Sequence, residues 1–212
     1  MKKMRMIAVA TAVACTAALG CAAHAGGLYL GGQYGAASLL NGTQDYASEQ
    51  LNLFGGPAKV TQDGAPTYSR LYAGYRFNES VALELGYAQS GKARLSAAGN
   101  DRDGDPYTST RTSRFSGLDL SALIRPLTTS RDLYLRVGVT SYATEAENQN
   151  LSRLLDDQSS TRSSGLGTML GIGYDLKLGS GALRFELGRL QGISNIGGND
   201  ATTYSVGYHY GF

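Results

Sequence analysis

The residues of this chain that could do chemistry are mostly charged, and they fall at every second position of otherwise apolar segments. Arg70, Arg76, Glu84, Asp119, Arg125, Arg136, Asp175, Lys177, Arg184 and Glu186 all lie opposite a Leu/Val/Tyr face in period two. Six are basic and four acidic, a mixture suited to mutual ion pairing. Nucleophilic or acid–base catalysis needs a base within hydrogen-bond reach of its partner. Past the first 25 residues the only histidine is His209, with no His-x-Ser pair. No residue is therefore assigned a catalytic role, and the chain is not expected to be an enzyme. Both cysteines, Cys15 and Cys21, precede residue 26, which leaves no thiol ligand set or disulfide in the remainder. Asp101-Arg-Asp-Gly-Asp105 has a faint calcium-loop look, but Thr112 stands where the bidentate Glu belongs, so it reads as a solvated acidic turn. No metal and no cofactor are expected.

The elements that position these charges are strands. Leu166, Thr168, Leu170, Ile172, Tyr174, Leu176 and Leu178 share one face, while Gly167, Met169, Gly171, Gly173, Asp175 and Lys177 share the other. The same alternation runs through 70–77, 81–88, 118–125, 133–140, 183–188 and 204–212, with a weaker, Gly-rich first strand over 27–36. Eight strands result, each near the ~9–11 residues of a tilted membrane-spanning strand. Short links at 78–80, 126–131 and 179–181 alternate with long polar ones at about 38–66, 91–110, 143–163 and 191–201. That rhythm predicts an all-β fold, an eight-stranded antiparallel up-and-down transmembrane β-barrel, in preference to a soluble sandwich.

The start of the chain reads as an export signal. Lys2, Lys3 and Arg5 precede an Ala-rich apolar run, and Ala23-His24-Ala25 forms a small-x-small cleavage site. The expected division is 1–25 signal peptide and 26–212 barrel, with lipoprotein processing at Cys21 as the alternative. Loss of those three cations takes the 19 basic residues below the 17 acidic ones, so no basic patch for nucleic acid remains. Charged residues are only 17% and mean hydropathy is −0.20, which excludes a polytopic helical membrane protein. A bacterial outer-membrane location follows, with both termini periplasmic and the long loops extracellular.

In a barrel, the apolar face must meet lipid and the charged face the lumen. Eight strands leave a lumen only just wide enough for side chains. A cross-barrel charge network is expected there instead of an open channel. Tyr75, Phe77, Tyr174, Tyr208, Tyr210 and Phe212 fall near strand ends, where aromatic girdles belong.

Leu28-Tyr-Leu-Gly-Gly-Gln-Tyr34, Ala73 to Tyr87, Asp132 to Gly138, Ala182 to Leu187 with Ser194 to Gly197, and Tyr204 to Phe212 together resemble the outer membrane protein A-like eight-stranded barrels. The resemblance covers the barrel domain only. It implies an ion pair or gate between Glu84, on the third strand, and Arg184, on the seventh. It implies an assembly signal in Tyr208, Tyr210 and Phe212, read by the barrel-assembly machinery. The family's alternative lysine partner has no match, and its alternative glutamate falls near Gly173. Expected partners are outer-membrane lipid and lipopolysaccharide, whose phosphates Arg94, Arg102, Arg111, Arg114, Arg153 and Arg162 could meet, and the protein is expected to be a monomer. The role so implied is structural support of the envelope with at most small-solute passage through a largely plugged lumen. The alternative is a surface adhesin or envelope-binding protein acting through loops 38–66 and 143–163.

Overall fold

The computed structural model describes residues 27–40, 42–126, 132–151, 156–192 and 200–212. The segment expected to be the signal peptide lies outside the described residues, as do most of the 126–131 and 191–201 links. Among the described residues ten strands and one helix follow in chain order. They are β1 (Gly27–Leu40), α1 (Gly42–Phe54), β2 (Ala58–Asp63), β3 (Thr67–Arg76), β4 (Val81–Ser90), β5 (Ala93–Asn100), β6 (Pro106–Ile124), β7 (Leu133–Leu151), β8 (Asp156–Leu178), β9 (Gly181–Gln191) and β10 (Asp200–Gly211).

Eight of the strands close a ring. Around it the order is β1, β3, β4, β6, β7, β8, β9, β10 and back to β1, every pairing antiparallel. Closure leaves no free edge within the ring, which is what a spanning sheet needs in lipid. The alternation read from sequence is the alternation of the wall. Leu71, Leu83, Leu85, Leu118, Val137, Leu170 and Val206 point outward and are exposed, while Arg70, Ala82, Glu84, Asp119, Arg136 and Arg184 point inward and are buried.

The short links are tight. The carboxamide oxygen of Asn78 accepts hydrogen bonds from the backbone N–H of Ser80 (2.8 Å) and of Val81 (2.9 Å), which turns β3 into β4. Gly179 and Ser180 join β8 to β9, with Gly179 at φ +59°, a conformation in which a side chain would be strained.

The long links depart from expectation. The segment 38–66 holds the end of β1, all of α1 and β2, and 91–110 holds β5. Most of 143–163 is strand, since β7 continues to Leu151 and β8 starts at Asp156. On β6 the outward face changes from Leu118 to Ser116, Arg114, Thr112 and Thr110, and on β7 from Val139 to Ser141, Glu145 and Glu147. Past that level the outward face meets water and the inward face buries small polar residues such as Ser109, Ser113 and Thr144, so hydrophobic alternation stops while the backbone ladder goes on. Threonine suits such a strand, and cross-strand polar pairs hold its register. At about 3.3 Å per residue, the ten or so residues of each strand past the belt form a wall on the order of 30 Å long on one side of the barrel.

Helix α1 packs on the lumen-side face of this wall. Tyr46 is buried against Leu95 and Ala97, with Ala58 and Val60 beside them. Its hydroxyl lies 2.7 Å from that of Ser109. Phe54 stacks on Tyr107 with ring centroids 4.1 Å apart. The guanidinium of Arg111 lies over the Tyr46 ring and donates to Glu49 at 2.7 Å. Asp45 in the first turn complements the helix dipole. Gly55, at φ +73°, ends the helix, its N–H donating to the Leu51 carbonyl.

Candidate functional site: the lumen

Three layers fill the barrel. Nearest the wall extension lies an apolar layer of Ala37, Tyr68, Ala88, Phe115, Tyr142, Met169, Leu190 and Ala201, all buried. Tyr68 and Phe115 stack with centroids 6.4 Å apart, and the Tyr142 hydroxyl donates to the Gly192 carbonyl. The charged waist comes next. Toward the short turns follows a second cluster of Tyr29, Tyr72, Ala82, Leu123 and Tyr134.

The waist is one continuous chain of alternating charge. Arg125 donates to Asp175 at 2.8 Å. Arg184 grips Asp175 with two nitrogens, at 2.7 and 3.1 Å, and reaches Glu84 with a third at 2.6 Å. The other Glu84 oxygen accepts from Arg70 at 3.0 Å. Arg70 also holds both oxygens of Asp119, at 2.9 and 2.7 Å. Asp119 accepts from Arg136 at 2.7 Å, and Arg136 donates onward to Glu186 at 2.7 Å. Four arginines thus meet four carboxylates. Their side chains are at most 6% exposed. The paired forks satisfy donors that would be very costly if left bare.

The expected Glu84 and Arg184 therefore touch, as the resemblance implied, but not as an isolated pair. Each is also held by a second ion, Glu84 by Arg70 and Arg184 by Asp175. Asp119, Arg125, Arg136, Asp175 and Glu186 all join the chain. Two of the expected lumen charges do not. Lys177 keeps the inward register, yet its side chain is 73% exposed and sits 3.9 Å from Asp132. It is the last inward position of β8, where the barrel opens to water, so it is a mouth residue and not a lumen charge. Arg76 ends β3 at the same level, half-buried, with its guanidinium over the Tyr29 ring.

Sequence reading placed no role on several residues that complete the waist. The Tyr29 hydroxyl donates to Glu84 at 2.8 Å and that of Tyr134 to Glu186 at 2.6 Å. Gln33 accepts from Arg70, and Ser121 from Arg136. Arg184 lies between the rings of Tyr72 and Tyr134, 5.0 and 4.8 Å from their centroids. Each of these residues has the inward parity of its strand, so the pattern contained them.

Inward glycines make room for these rings. Tyr29 faces Gly74 across the β1–β3 ladder and Tyr72 faces Gly31, while Tyr134 faces Gly173 and Tyr142 faces Gly165 across β7–β8. A Cβ on Gly74 would stand 2.1 Å from the Tyr29 ring, and one on Gly173 2.3 Å from Tyr134. Each tyrosine lies flat over its partner glycine, a close approach that any side chain would forbid.

Outward, Tyr75 with Phe77 and Tyr210 with Phe212 form edge-to-face pairs at 5.0 and 5.2 Å. They lie at the short-turn end together with Tyr208 and Tyr174, all exposed. His209 is buried beside Tyr29, with ring centroids 5.1 Å apart. At the β5–β6 turn the Asp101 carboxylate accepts from the N–H groups of Asp103 and Asp105, and Gly104 takes φ +88°. That carboxylate serves its own turn. Among the described residues no cluster of three or more His, Cys, Asp or Glu side chains could hold a metal.

The family model for the outer membrane protein beta-barrel domain matches residues 6–212. No curated protein matches the chain in sequence. Solved structures align with the chain at low identity. Ail, the attachment invasion locus protein of Yersinia pestis, is 12% identical, with 88% of this chain and 97% of that one covered and a TM-score of 0.47. Neisserial surface protein A is 16% identical over 89% and 100% of the two chains, with a TM-score of 0.45. The N-terminal barrel of Pseudomonas aeruginosa OprF is 13% identical over 88% and 99%, with a TM-score of 0.44.

Proposed function

The chain belongs to the outer membrane protein β-barrel domain family, and from that premise we propose that it is a closed, essentially non-conducting barrel that supports the outer membrane. The observation that carries this reading is the filled lumen. An apolar layer built on Phe115, Tyr68, Tyr142 and Met169 lies in series with a charge chain that has no spare carboxylate at the waist. A hydrated solute would have to displace both. Opening the Glu84–Arg184 contact alone would leave Arg70 on Glu84 and Asp175 on Arg184, so that contact acts as a fixed brace. The short-turn end, with both ends of the barrel sequence, faces the periplasm, and the wall extension with α1 stands outside the cell.

Single-channel recording of refolded protein in a planar bilayer tests this, with insertion shown by heat-dependent gel mobility. The wild type is expected to be silent. Discrete openings whose size changes in Glu84→Ala would overturn the closed barrel in favour of a gated pore.

A second reading has its own observation. The extension is ordered sheet buttressed by a helix, which is more than a structural plug needs, and it offers a rigid polar surface for an external partner. Replacing α1 and the distal halves of β7 and β8 with short turns would spare membrane integrity and abolish such binding.

A further inference from the structure

We propose that the cavity at the short-turn end of the barrel binds a phosphate group, either free or carried on a lipid headgroup. The cavity measures about 290 Å³ and lies on the turn side of the charged waist. Arg76, Arg125 and His209 line it, and Lys177 stands at its rim.

Each of the three deeper residues has a buried nitrogen without a hydrogen-bond partner among the described residues, namely Arg76 Nε, Arg125 Nη1 and His209 Nδ1. Arg125 is 7% and His209 4% exposed, so neither turns to bulk water. Buried polar groups are nearly always satisfied by protein, water or a ligand. Three such atoms around one cavity mark a place where something polar sits.

The charges say what kind. Arg76 is the one arginine of the inward-facing set with no carboxylate at ion-pair distance among the described residues; Arg125 and Arg184 repel it and Asp175 attracts it from farther off. The carboxylates that line the cavity already have interactions of their own. Asp175 is shared by Arg184 and Arg125, Asp132 lies near Lys177, and Glu79 has its own interactions. The three cations and three carboxylates of the lining balance in formal charge, and the donors left over are the unpartnered guanidinium N–H groups of Arg76 and Arg125, the chemistry that recognises oxyanions through charge-assisted hydrogen bonds. The volume lies just under the usual range of small-molecule sites, which suits one phosphate with a small substituent.

The test uses refolded full barrel in uncharged detergent, with the His209 ring followed by NMR. One arm adds inorganic phosphate or pyrophosphate, a second dopes the micelles with phosphatidic acid, and a third adds chloride at matched ionic strength. A saturable His209 response to free phosphate supports a soluble phosphate ligand, and a response to phosphatidic acid alone supports a headgroup. Arg76→Gln makes no ion pair to lose and should keep the folded gel mobility while binding about 10- to 100-fold more weakly, the cost of one charge-assisted hydrogen bond. Lys177→Gln, at the exposed rim, should weaken binding less. Lys59→Gln, on the distant extension, should bind as wild type. No saturable response in either phosphate arm would overturn the proposal. So would an equal response to chloride, or an Arg76→Gln protein that binds as well as the wild type.

Discussion

The waist of the barrel and the extension above it are built from the same strands but held by opposite physics. At the waist β6 presents buried Asp119 and Ser121 to the lumen, and every charge there has its counter-charge within hydrogen-bond reach. Eleven residues earlier the same strand presents Thr108 and Thr110 to water on its outer face. There order comes from backbone pairing and from α1 on the inner face. Arg114 of β6 meets Glu145 of β7 on the outer surface, with Arg162 of β8 at 3.8 Å. This exposed triad resembles the waist in composition and differs from it in worth. Solvent screens it, and exposed pairs contribute little. Burial, rather than the number of charges, makes an ion pair structurally decisive.

The sharpest way to break this comparison is to remove one waist charge. Glu84→Ala would leave Arg184 on Asp175 and Arg70 on Asp119, with one buried positive charge in excess, and should cost about 3–5 kcal/mol. In urea titrations read by gel mobility the folded band should vanish at much lower denaturant than for wild type. Tyr46→Ala comes next and acts only on the extension. Loss of this buried ring should cost about 3 kcal/mol locally. Limited proteolysis should then cut within 42–54 while the heat-dependent mobility of the barrel stays unchanged. Burial pushes the Tyr46 hydroxyl above its ordinary pKa, so the folded helix resists its ionisation. Stability from this group should be complete below the ordinary tyrosine value and fall as pH rises above it. Protease sensitivity of α1 that increases at strongly alkaline pH, and is absent in Tyr46→Phe, checks the sign.

Gly74→Ala should have a smaller effect, about 1–3 kcal/mol, because the added methyl collides with the Tyr29 ring and forces it from the waist. The unfolding midpoint of Gly74→Ala should rise again when Tyr29 is also made Ala. Arg114→Ala should have the smallest effect. The hydrogen bond from Arg114 holds the Glu145 carboxyl below its usual pKa, so any stability it adds is present at neutral pH and lost in acid. Both groups are exposed, and the unfolding midpoint should not move measurably.

Much of this architecture was readable in the chain. Period two across Leu166–Leu178 and its counterparts can be satisfied only by strands with one apolar and one polar face, and alternating link lengths can hardly be explained except by a spanning barrel. The inward register of Arg70, Glu84, Asp119, Arg136 and Arg184 followed from parity alone. The limits of that reading have a single cause. Hydrophobic alternation reports the contrast between lipid and lumen, so it ends where the outer faces of β6, β7 and β8 meet water and the inner faces of β6 and β7 bury small polar side chains such as Ser109, Ser113 and Thr144, and a segment of that composition reads as loop. Helix α1 was missed because its anchors, Tyr46, Gln50 and Phe54, are too few to set a helical period.

The sequence by itself determined which side chains enter the lumen, because a strand has only two faces. It could not determine who meets whom there. That Glu84 touches Arg70 as well as Arg184, that Tyr134 caps Glu186, and that no carboxylate among the described residues pairs with Arg76 all depend on barrel closure. Closure brings residues as far apart as Glu84 and Arg184 to within 2.6 Å. Their partnership is a property of the ring's register and narrow bore, and only the tertiary structure sets these.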